Sequence, residues 1–240
     1  MQFIVLSAGQ GTRMQPFTKI TPKAMLRLGF GETVAERMTR IIKKVVPGAR
    51  ISYVLGFRHE EIAAVLPKDV EIILNPFYTV SNSIASLWFA RHLLTQDTVI
   101  INGDIVIGES GFREVAALRN PATIVLDSGK TENLDCGVVI EENRVVLMSK
   151  SFNRGYGEYA GILQMDENVA RMVKRQTEEM IESNDLNNWS EYALMQLILS
   201  DDLEVSFLDL AGHAWAELDS LHDLYLARRV QQQEFRSDTC

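Results

Sequence analysis

The chain has few cysteines and a shortage of positive charge. Its two cysteines, Cys136 and Cys240, are too few for a disulfide framework or a cysteine-based zinc site. The 24 lysines and arginines are outnumbered by 32 aspartates and glutamates, which gives a net charge of −8. Because duplex binding depends on clustered cations, this balance argues against a nucleic-acid partner.

Long apolar runs are also absent. The stretch Phe3–Ala8 is too short for a signal peptide or a membrane span, and no basic leader precedes it. We therefore expect a cytoplasmic protein without a membrane partner. A length of 240 residues with 46% apolar residues suits one large α/β domain, and no repeat or low-complexity linker divides it.

The cations that are present concentrate near the start of the chain. An apolar strand, Phe3–Leu6, leads into the turn Gly9-Gln10-Gly11, and no acidic residue occurs before Glu32. Four cations follow the turn: Arg13, Lys19, Lys23 and Arg27. Glycines let backbone N–H groups approach an anion closely, while arginine and lysine pair with phosphate oxygens. The pattern indicates a polyphosphate site, to which Lys19 and Arg27 are the weaker candidates.

Two better-known phosphate motifs do not fit this loop. A dinucleotide-binding turn requires G-x-G-x-x-G, and Met14 stands at its third glycine position. Pro16 and Pro22 also forbid one long helix after the turn. No string in the chain has the spacing of a Walker A loop.

The remaining pattern is A-G-x-G-T-R-M-x-P-x-T followed by P-K-x-M-L. It resembles the signature of the nucleotidyltransferases that join a nucleoside triphosphate to a phosphorylated small molecule, although Ser7 replaces the family's usual second alanine. The resemblance implies that Arg13 and the loop amides hold the triphosphate and that Lys23 bridges the α-phosphate and the acceptor, so we expect these two side chains to be catalytic. The nucleotide-site residues expected here are Leu6, Ala8, Gly9, Gln10, Gly11, Thr12, Arg13 and Lys23.

Strand-like and helical patterns alternate through the first half. Predicted strands lie at Phe3–Leu6, Ile51–Leu55, Val70–Leu74 and Thr98–Ile101, and predicted helices at Val34–Val46, Glu60–Leu66 and Ser83–Leu94. This alternation implies parallel strands with helices on both faces and a ligand site at the strands' carboxyl ends. We predict an α/β fold, a Rossmann-like three-layer sandwich with a mostly parallel mixed central sheet and a small substrate lobe.

The second half is less regular and ends in a predicted helix, Leu221–Gln232. Two strands, Gly137–Ile140 and Arg144–Ser149, are predicted to form a hairpin. We interpret residues 1–240 as a single nucleotidyltransferase domain. Its nucleotide half covers about 1–120, its substrate lobe about 121–212, and a closing metal motif with the last helix 213–235.

Two aspartates are candidate ligands of Mg²⁺. Asp104 ends the string I-I-N-G-D after a strand, where a carboxylate would face the phosphate site. Asp219 lies in a string that resembles the family's closing metal motif, which favours it over Glu217. Either aspartate could instead cap the turn or helix that follows it.

The stretch after the third strand is a candidate base-binding region, with Asn75, Asn82 and Ser83 as its polar residues. The string NPFYTVSNSIASLWFA resembles the short branch that includes phosphocholine and phosphonate cytidylyltransferases, which implies CTP. Amide and hydroxyl groups there could read a pyrimidine edge, or could cap the following helix, or both.

Aromatic and acidic residues in the second half are candidate acceptor contacts. Aromatic faces and carboxylates together suit a cationic amine, whereas basic residues suit a phosphate or a second acidic group. The expected acceptor-binding residues are Asp135, Lys150, Arg154, Glu158, Tyr159, Trp189 and Glu217. We favour a small zwitterion such as 2-aminoethylphosphonate.

The leading hypothesis is transfer of CMP from CTP to a small phosphate- or phosphonate-bearing acceptor, with loss of pyrophosphate. The first alternative is a sugar-1-phosphate nucleotidyltransferase that uses UTP or dTTP, which the short length disfavours. The second is a non-catalytic nucleotide-sensing subunit on the same fold, which the retained Arg13, Lys23 and aspartates disfavour. The sequence leaves the oligomeric state open, a homo-oligomer included.

Overall fold

A computed structural model describes residues 1–237 of the chain. Cys240 lies outside the described residues. The first half contains β1 (Gln2–Ser7), β2 (Arg27–Gly29), β3 (Glu32–Thr33), α1 (Val34–Val45), β4 (Arg50–Leu55), α2 (His59–Val65), β5 (Glu71–Leu74), α3 (Ser83–Phe89), β6 (Thr98–Asn102), β7 (Ile105–Ile107) and α4 (Glu109–Ala117). The second half contains β8 (Ala122–Asp127), β9 (Gly137–Glu141), β10 (Arg144–Ser149), β11 (Gly157–Met165), α5 (Glu167–Glu182), α6 (Glu191–Leu199), β12 (Ser206–Asp209), β13 (Trp215–Glu217) and α7 (Leu221–Ser237).

A mixed sheet runs through the molecule in the order β10-β9-β11-β6-β1-β4-β5, and β8 joins β12 to it through β11. The strands β6, β1, β4 and β5 are parallel to their neighbours in this group, whereas β11 is antiparallel to β6, β8 and β9. The carboxyl ends of the four parallel strands therefore share one edge of the sheet. The predicted α/β fold with a parallel nucleotide half is confirmed.

The strand β1 lies between two apolar layers because its side chains alternate. Phe3 and Val5 pack on one face with α1, and Ile4 and Leu6 pack on the other with α3. Cys136 is buried in the second layer as a free thiol, and burial raises its pKa to about 12. The thiol therefore serves as a small apolar side chain.

Several elements differ from the sequence-based expectation. The strand β7, the helix α4 and the short β2–β3 hairpin were not predicted, because their few apolar residues give no sustained periodicity. The helix expected at Ser83–Leu94 is α-helical only to Phe89 and then continues as a single 3₁₀ turn, Arg91–Leu93. Within residues 1–237, no helix combines the length and apolar character needed to cross a membrane.

Candidate active site

A cavity of about 340 Å³ opens at the carboxyl edge of the parallel strands. The glycine loop follows β1, Asn75 follows β5 and Asp104 follows β6, so the topology brings three distant segments together. All twelve predicted nucleotide-site residues line this cavity: Leu6, Ala8, Gly9, Gln10, Gly11, Thr12, Arg13, Lys23, Asn75, Asn82, Ser83 and Asp104.

The glycine loop is packed against the lysine that the motif predicts to be catalytic. Gly11 has a φ of 62°, and a Cβ there would stand 3.0 Å from Lys23 Cγ. The Thr18 hydroxyl donates a hydrogen bond of 2.5 Å to the Gly11 carbonyl. Both the backbone conformation and the close contact therefore require glycine at this position.

Lys23 lies between the two aspartates that were predicted to bind metal. Its Nζ donates to Asp104 Oδ2 at 2.9 Å and to Asp219 Oδ1 at 2.5 Å. Burial would lower the pKa of Lys23, but the two carboxylates outweigh it and raise that pKa. Lys23 is therefore held as an ammonium at the floor of the cavity.

Arg13 joins the same network from the other side. Its guanidinium donates to Asp219 Oδ2 at 2.5 Å and also to Asp135. Burial would raise the pKa of Asp219, but the nearby Lys23 and Arg13 charges lower it overall. Burial and the neighbouring Asp219 carboxylate instead raise the pKa of Asp135. One arginine thus bridges a predicted metal ligand and a predicted acceptor residue.

The alternative that Asp219 caps the last helix does not match the contacts. The Ser220 hydroxyl accepts from Asp223 N at 3.2 Å and donates to Asp223 Oδ2 at 2.8 Å. The backbone N–H of Asp219 donates to the same Asp223 carboxylate. Ser220 and Asp223 therefore form the cap, which leaves the Asp219 side chain to Lys23 and Arg13.

Three further carboxylates lie together beside this network. Oxygen atoms of Asp135, Glu158 and Glu217 are all within 4.8 Å of one another. All three are predicted acceptor residues rather than the predicted metal ligands. Glu158 accepts from Asp135 N at 3.1 Å and pairs with Lys130 Nζ at 2.8 Å. Burial, followed by the charges of Asp104 and Asp219, raises the pKa of Glu217 well above its ordinary value.

Asn75 and Asn82, two of the base-binding candidates, each make hydrogen bonds within this stretch of chain. Asn75 Nδ2 donates to Ser86 Oγ at 3.0 Å and Asn75 Oδ1 accepts from Phe77 N at 2.9 Å. Asn82 Oδ1 accepts from Ser83 N and is the N-cap of α3. Asn75 is 2% exposed, so its amide shapes the turn more than it faces the cavity.

Three of the seven predicted acceptor residues line the cavity, and the other four do not. Lys150, Trp189 and Glu217 line the cavity, and Lys150 Nζ lies 3.8 Å above the centre of the Trp189 ring. Asp135 accepts from Arg13, which lines the cavity, and Glu158 accepts from the Asp135 backbone N–H. Tyr159 is only 6% exposed, in the apolar layer beneath the lobe. Arg154 is an exposed residue paired with Glu132 and does not line the cavity.

Other cavity residues were absent from the predicted set. The lining also includes Ser86, Asn102 and Gly103. These residues lie within three positions of a predicted residue in the sequence, and that closeness is the signal that could have identified them. Gly56 follows the carboxyl end of β4 but does not line the cavity, and a Cβ there would stand 2.7 Å from Tyr78 Cβ.

The glycine loop and its cations belong to a segment that matches a described family. Residues 3–154 match the model of the MobA-like NTP transferase domain. The chain belongs to this family. The matched range contains the glycine loop, Lys23, Asp104 and Asp135, whereas Asp219 lies beyond it.

One similar curated protein and two solved structures of the same fold are named as cytidylyltransferases or a CTP transferase. A 2-aminoethylphosphonate cytidylyltransferase of Lancefieldella rimae is 31% identical over 109 residues, which are 44% of each chain. The structure of the CTP:phosphocholine cytidylyltransferase from Streptococcus pneumoniae superposes with a TM-score of 0.80 at 21% identity, covering 96% of this chain and 98% of that one. An inositol-1-phosphate CTP transferase from T. maritima gives 0.76 at 17% identity, covering 96% of each. The alignments span about half or less of the curated relatives' own lengths.

Proposed function

We propose that this nucleotidyltransferase transfers CMP from CTP to a small acceptor that carries a phosphate or phosphonate, and releases pyrophosphate. The observation that carries the proposal is Lys23, an ammonium fixed beside the glycine loop at the floor of the cavity. The similarity to cytidylyltransferases supports CTP as the nucleotide.

The reaction joins two anions. An oxygen of the acceptor's phosphate or phosphonate forms a bond to the α-phosphorus of CTP, and the bond from that phosphorus to the bridging oxygen of pyrophosphate breaks. The attacking oxygen is already ionised at neutral pH, so no general base is needed. Lys23 stabilises the charge at the α-phosphate, while Arg13 and the loop amides hold the other phosphates.

Asp104 and Asp219 have the donor chemistry for Mg²⁺. Both carboxylates contact the same ammonium, so they lie close together and already share one cation. Carboxylate oxygens are the ligands that Mg²⁺ prefers in proteins. When bound, the metal would supply positive charge that offsets the charge developing on the leaving group.

The acceptor is proposed to carry an amine. Glu191 is 7% exposed and lines the cavity, and its carboxylate accepts from the Ser190 hydroxyl at 3.1 Å. Among the side chains of residues 1–234, none forms an ion pair with Glu191. Glu217 and the Trp189 ring lie in the same lining. A cationic group there would compensate the buried carboxylates and stack on an aromatic face.

Lys150 affects how the acceptor is oriented beside Glu191, Glu217 and Trp189. It already covers the Trp189 ring, so a ligand amine would have to displace it. Once displaced, Lys150 is free to pair with the acceptor's own anionic group. The zwitterion 2-aminoethylphosphonate offers both charges at a short separation.

A pyrophosphate-release screen tests the reaction. CTP, UTP, ATP, GTP and dTTP are each paired with 2-aminoethylphosphonate, phosphocholine, inositol 1-phosphate and glucose 1-phosphate. We expect CTP with an amine-bearing acceptor to give the highest kcat/KM. A preference for UTP or dTTP with glucose 1-phosphate would favour the sugar-nucleotide alternative, and no turnover with any pair would favour the sensing subunit.

A matched pair of acceptors tests the amine site. 2-Aminoethylphosphonate and 2-hydroxyethylphosphonate differ in one charged group. Glu217→Gln and Glu191→Gln should lower kcat/KM for the amine by about tenfold or more, because a charge-assisted contact contributes about 1.5–3 kcal/mol. The hydroxyl analogue should change by less than about threefold in the same variants. Equal losses for both acceptors would remove the amine from the proposal.

A further inference from the structure

Two segments of the cavity wall that are about a hundred residues apart in sequence are joined by direct hydrogen bonds. We name residues 81–84 the base turn and residues 186–191 the acceptor segment. Four bonds connect them: Asn82 N to Leu186 O at 2.9 Å, Ile84 N to Asn188 O at 3.2 Å, Asn82 Nδ2 to Asn187 O at 3.3 Å, and Ser190 N to Ser83 Oγ at 2.7 Å. The two segments therefore form one hydrogen-bonded unit.

Each segment also contributes side chains to the cavity. Asn82 and Ser83 line it from the base turn, and Trp189 and Glu191 line it from the acceptor segment. The Ser83 hydroxyl oxygen accepts from Ser190 N, whereas its own proton has no acceptor among the side chains and backbone of residues 1–234. That hydroxyl can donate to a ligand and hold the acceptor segment at the same time.

We propose that Ser83 is a positioning residue that couples nucleotide binding to acceptor binding. This inference rests on the proposed function. A nucleotide that orders the base turn also orders Ser190 and the Trp189 and Glu191 side chains beside it. The acceptor then binds to a segment whose conformational entropy has already been lost, so its affinity rises, and by linkage the acceptor raises the nucleotide's affinity by the same factor.

The coupling factor is the ratio of two dissociation constants. The ligand α,β-methylene CTP cannot transfer CMP, so its Kd is measured by calorimetry without and with saturating 2-aminoethylphosphonate. For the wild-type chain we expect a ratio of roughly 5–150, the ordinary range of coupling between two sites. A direct contact between Ser83 and the nucleotide affects both constants, so its loss cancels in the ratio.

Two variants at Ser83 separate coupling from simple binding. Ser83→Ala removes the acceptor for Ser190 N, the bond next to Trp189 and Glu191, and should lower the ratio at least about threefold although the other three bonds remain. Ser83→Thr keeps the hydroxyl and should retain the wild-type ratio. Asn188→Ala removes the side-chain bond from Asn188 to Asp185, which holds the acceptor segment's turn, and should also lower the ratio.

The outcomes distinguish this inference from the function on which it rests. A wild-type chain that turns over CTP and 2-aminoethylphosphonate with a coupling ratio of one overturns the inference and leaves the function in place. A wild-type ratio that persists in Ser83→Ala overturns it as well. Should Ser83→Ala fail to fold, an unchanged ratio in Asn188→Ala overturns it. Absence of both turnover and ternary binding would overturn the function and the inference together.

Discussion

Ser7 packs against the α-carbon of Gly103. A Cβ at Gly103 would stand 2.5 Å from Ser7 Cβ and 2.9 Å from the Leu6 carbonyl oxygen. The end of β1 and the residue that follows β6 are therefore too close for a side chain at position 103, and Asp104 lies beside the glycine loop in the cavity lining. The contact requires a small side chain at position 7 and no side chain at position 103.

The first prediction follows from this contact. Gly103→Ala should displace Asp104 and destabilise the fold by roughly 1–3 kcal/mol, because the added methyl group overpacks the site. Urea unfolding measures the change. Ser7→Ala adds no volume and should stay within about 0.5 kcal/mol of wild type. A Gly103→Ala chain as stable as Ser7→Ala would contradict the steric account.

The second prediction concerns Lys23. Lys23→Ala should lower kcat by roughly 10²–10³-fold, since it removes one preorganised cation at the α-phosphate. Lys19→Ala is the matched control in the same loop, where the side chain is exposed and lies outside the cavity lining. Steady-state kinetics of both variants, with circular dichroism to verify folding, give the comparison. Activity of Lys23→Ala within about threefold of Lys19→Ala would exclude the role.

The third prediction concerns the metal. Lys23 and Arg13 already neutralise Asp104 and Asp219, so Mg²⁺ alone should bind weakly and should bind more tightly with CTP. Calorimetry with and without α,β-methylene CTP measures this, and EDTA should abolish turnover. Asp104→Asn and Asp219→Asn should raise the Mg²⁺ requirement, whereas Asp69→Asn, at an exposed ion pair with Lys43, should not. A Mg²⁺ requirement unaltered in both aspartate variants would refute this site.

The fourth prediction concerns stability. Arg37 is 1% exposed and joins α1 to α7 through Glu234 and to β7 through the Ile107 carbonyl. Arg37→Met should cost about 1–3 kcal/mol of unfolding free energy, because it removes the buried hydrogen bonds that the Arg37 guanidinium donates to the Ile107 carbonyl and to Glu234. Arg40→Met, on the same helix but with an exposed pair to Glu32, should cost less than about 1 kcal/mol. Similar losses from both variants in urea unfolding would show that the burial of the Arg37 pair has no special weight.

Local chemistry explains why some elements of the nucleotide half were predictable and others were not. The strand Gln2–Ser7, the glycine loop and the helix Val34–Val45 depend on residue types at neighbouring positions, such as the capping box between Thr33 and Glu36. The α4 helix offered no comparable pattern, since only Gly111, Phe112 and Val115 are buried along it. Elements that are stabilised mainly by tertiary packing leave weak traces in the sequence.

The sequence by itself determined the family, the glycine loop and the cation at position 23, because each depends on a short run of special residue types. Only the tertiary structure decided that Arg13 reaches both Asp135 and Asp219, that Ser220 rather than Asp219 caps the last helix, and that Arg154 lies outside the cavity. These relations depend on strand order and on packing between residues far apart in the chain. No local pattern of residues encodes such distances.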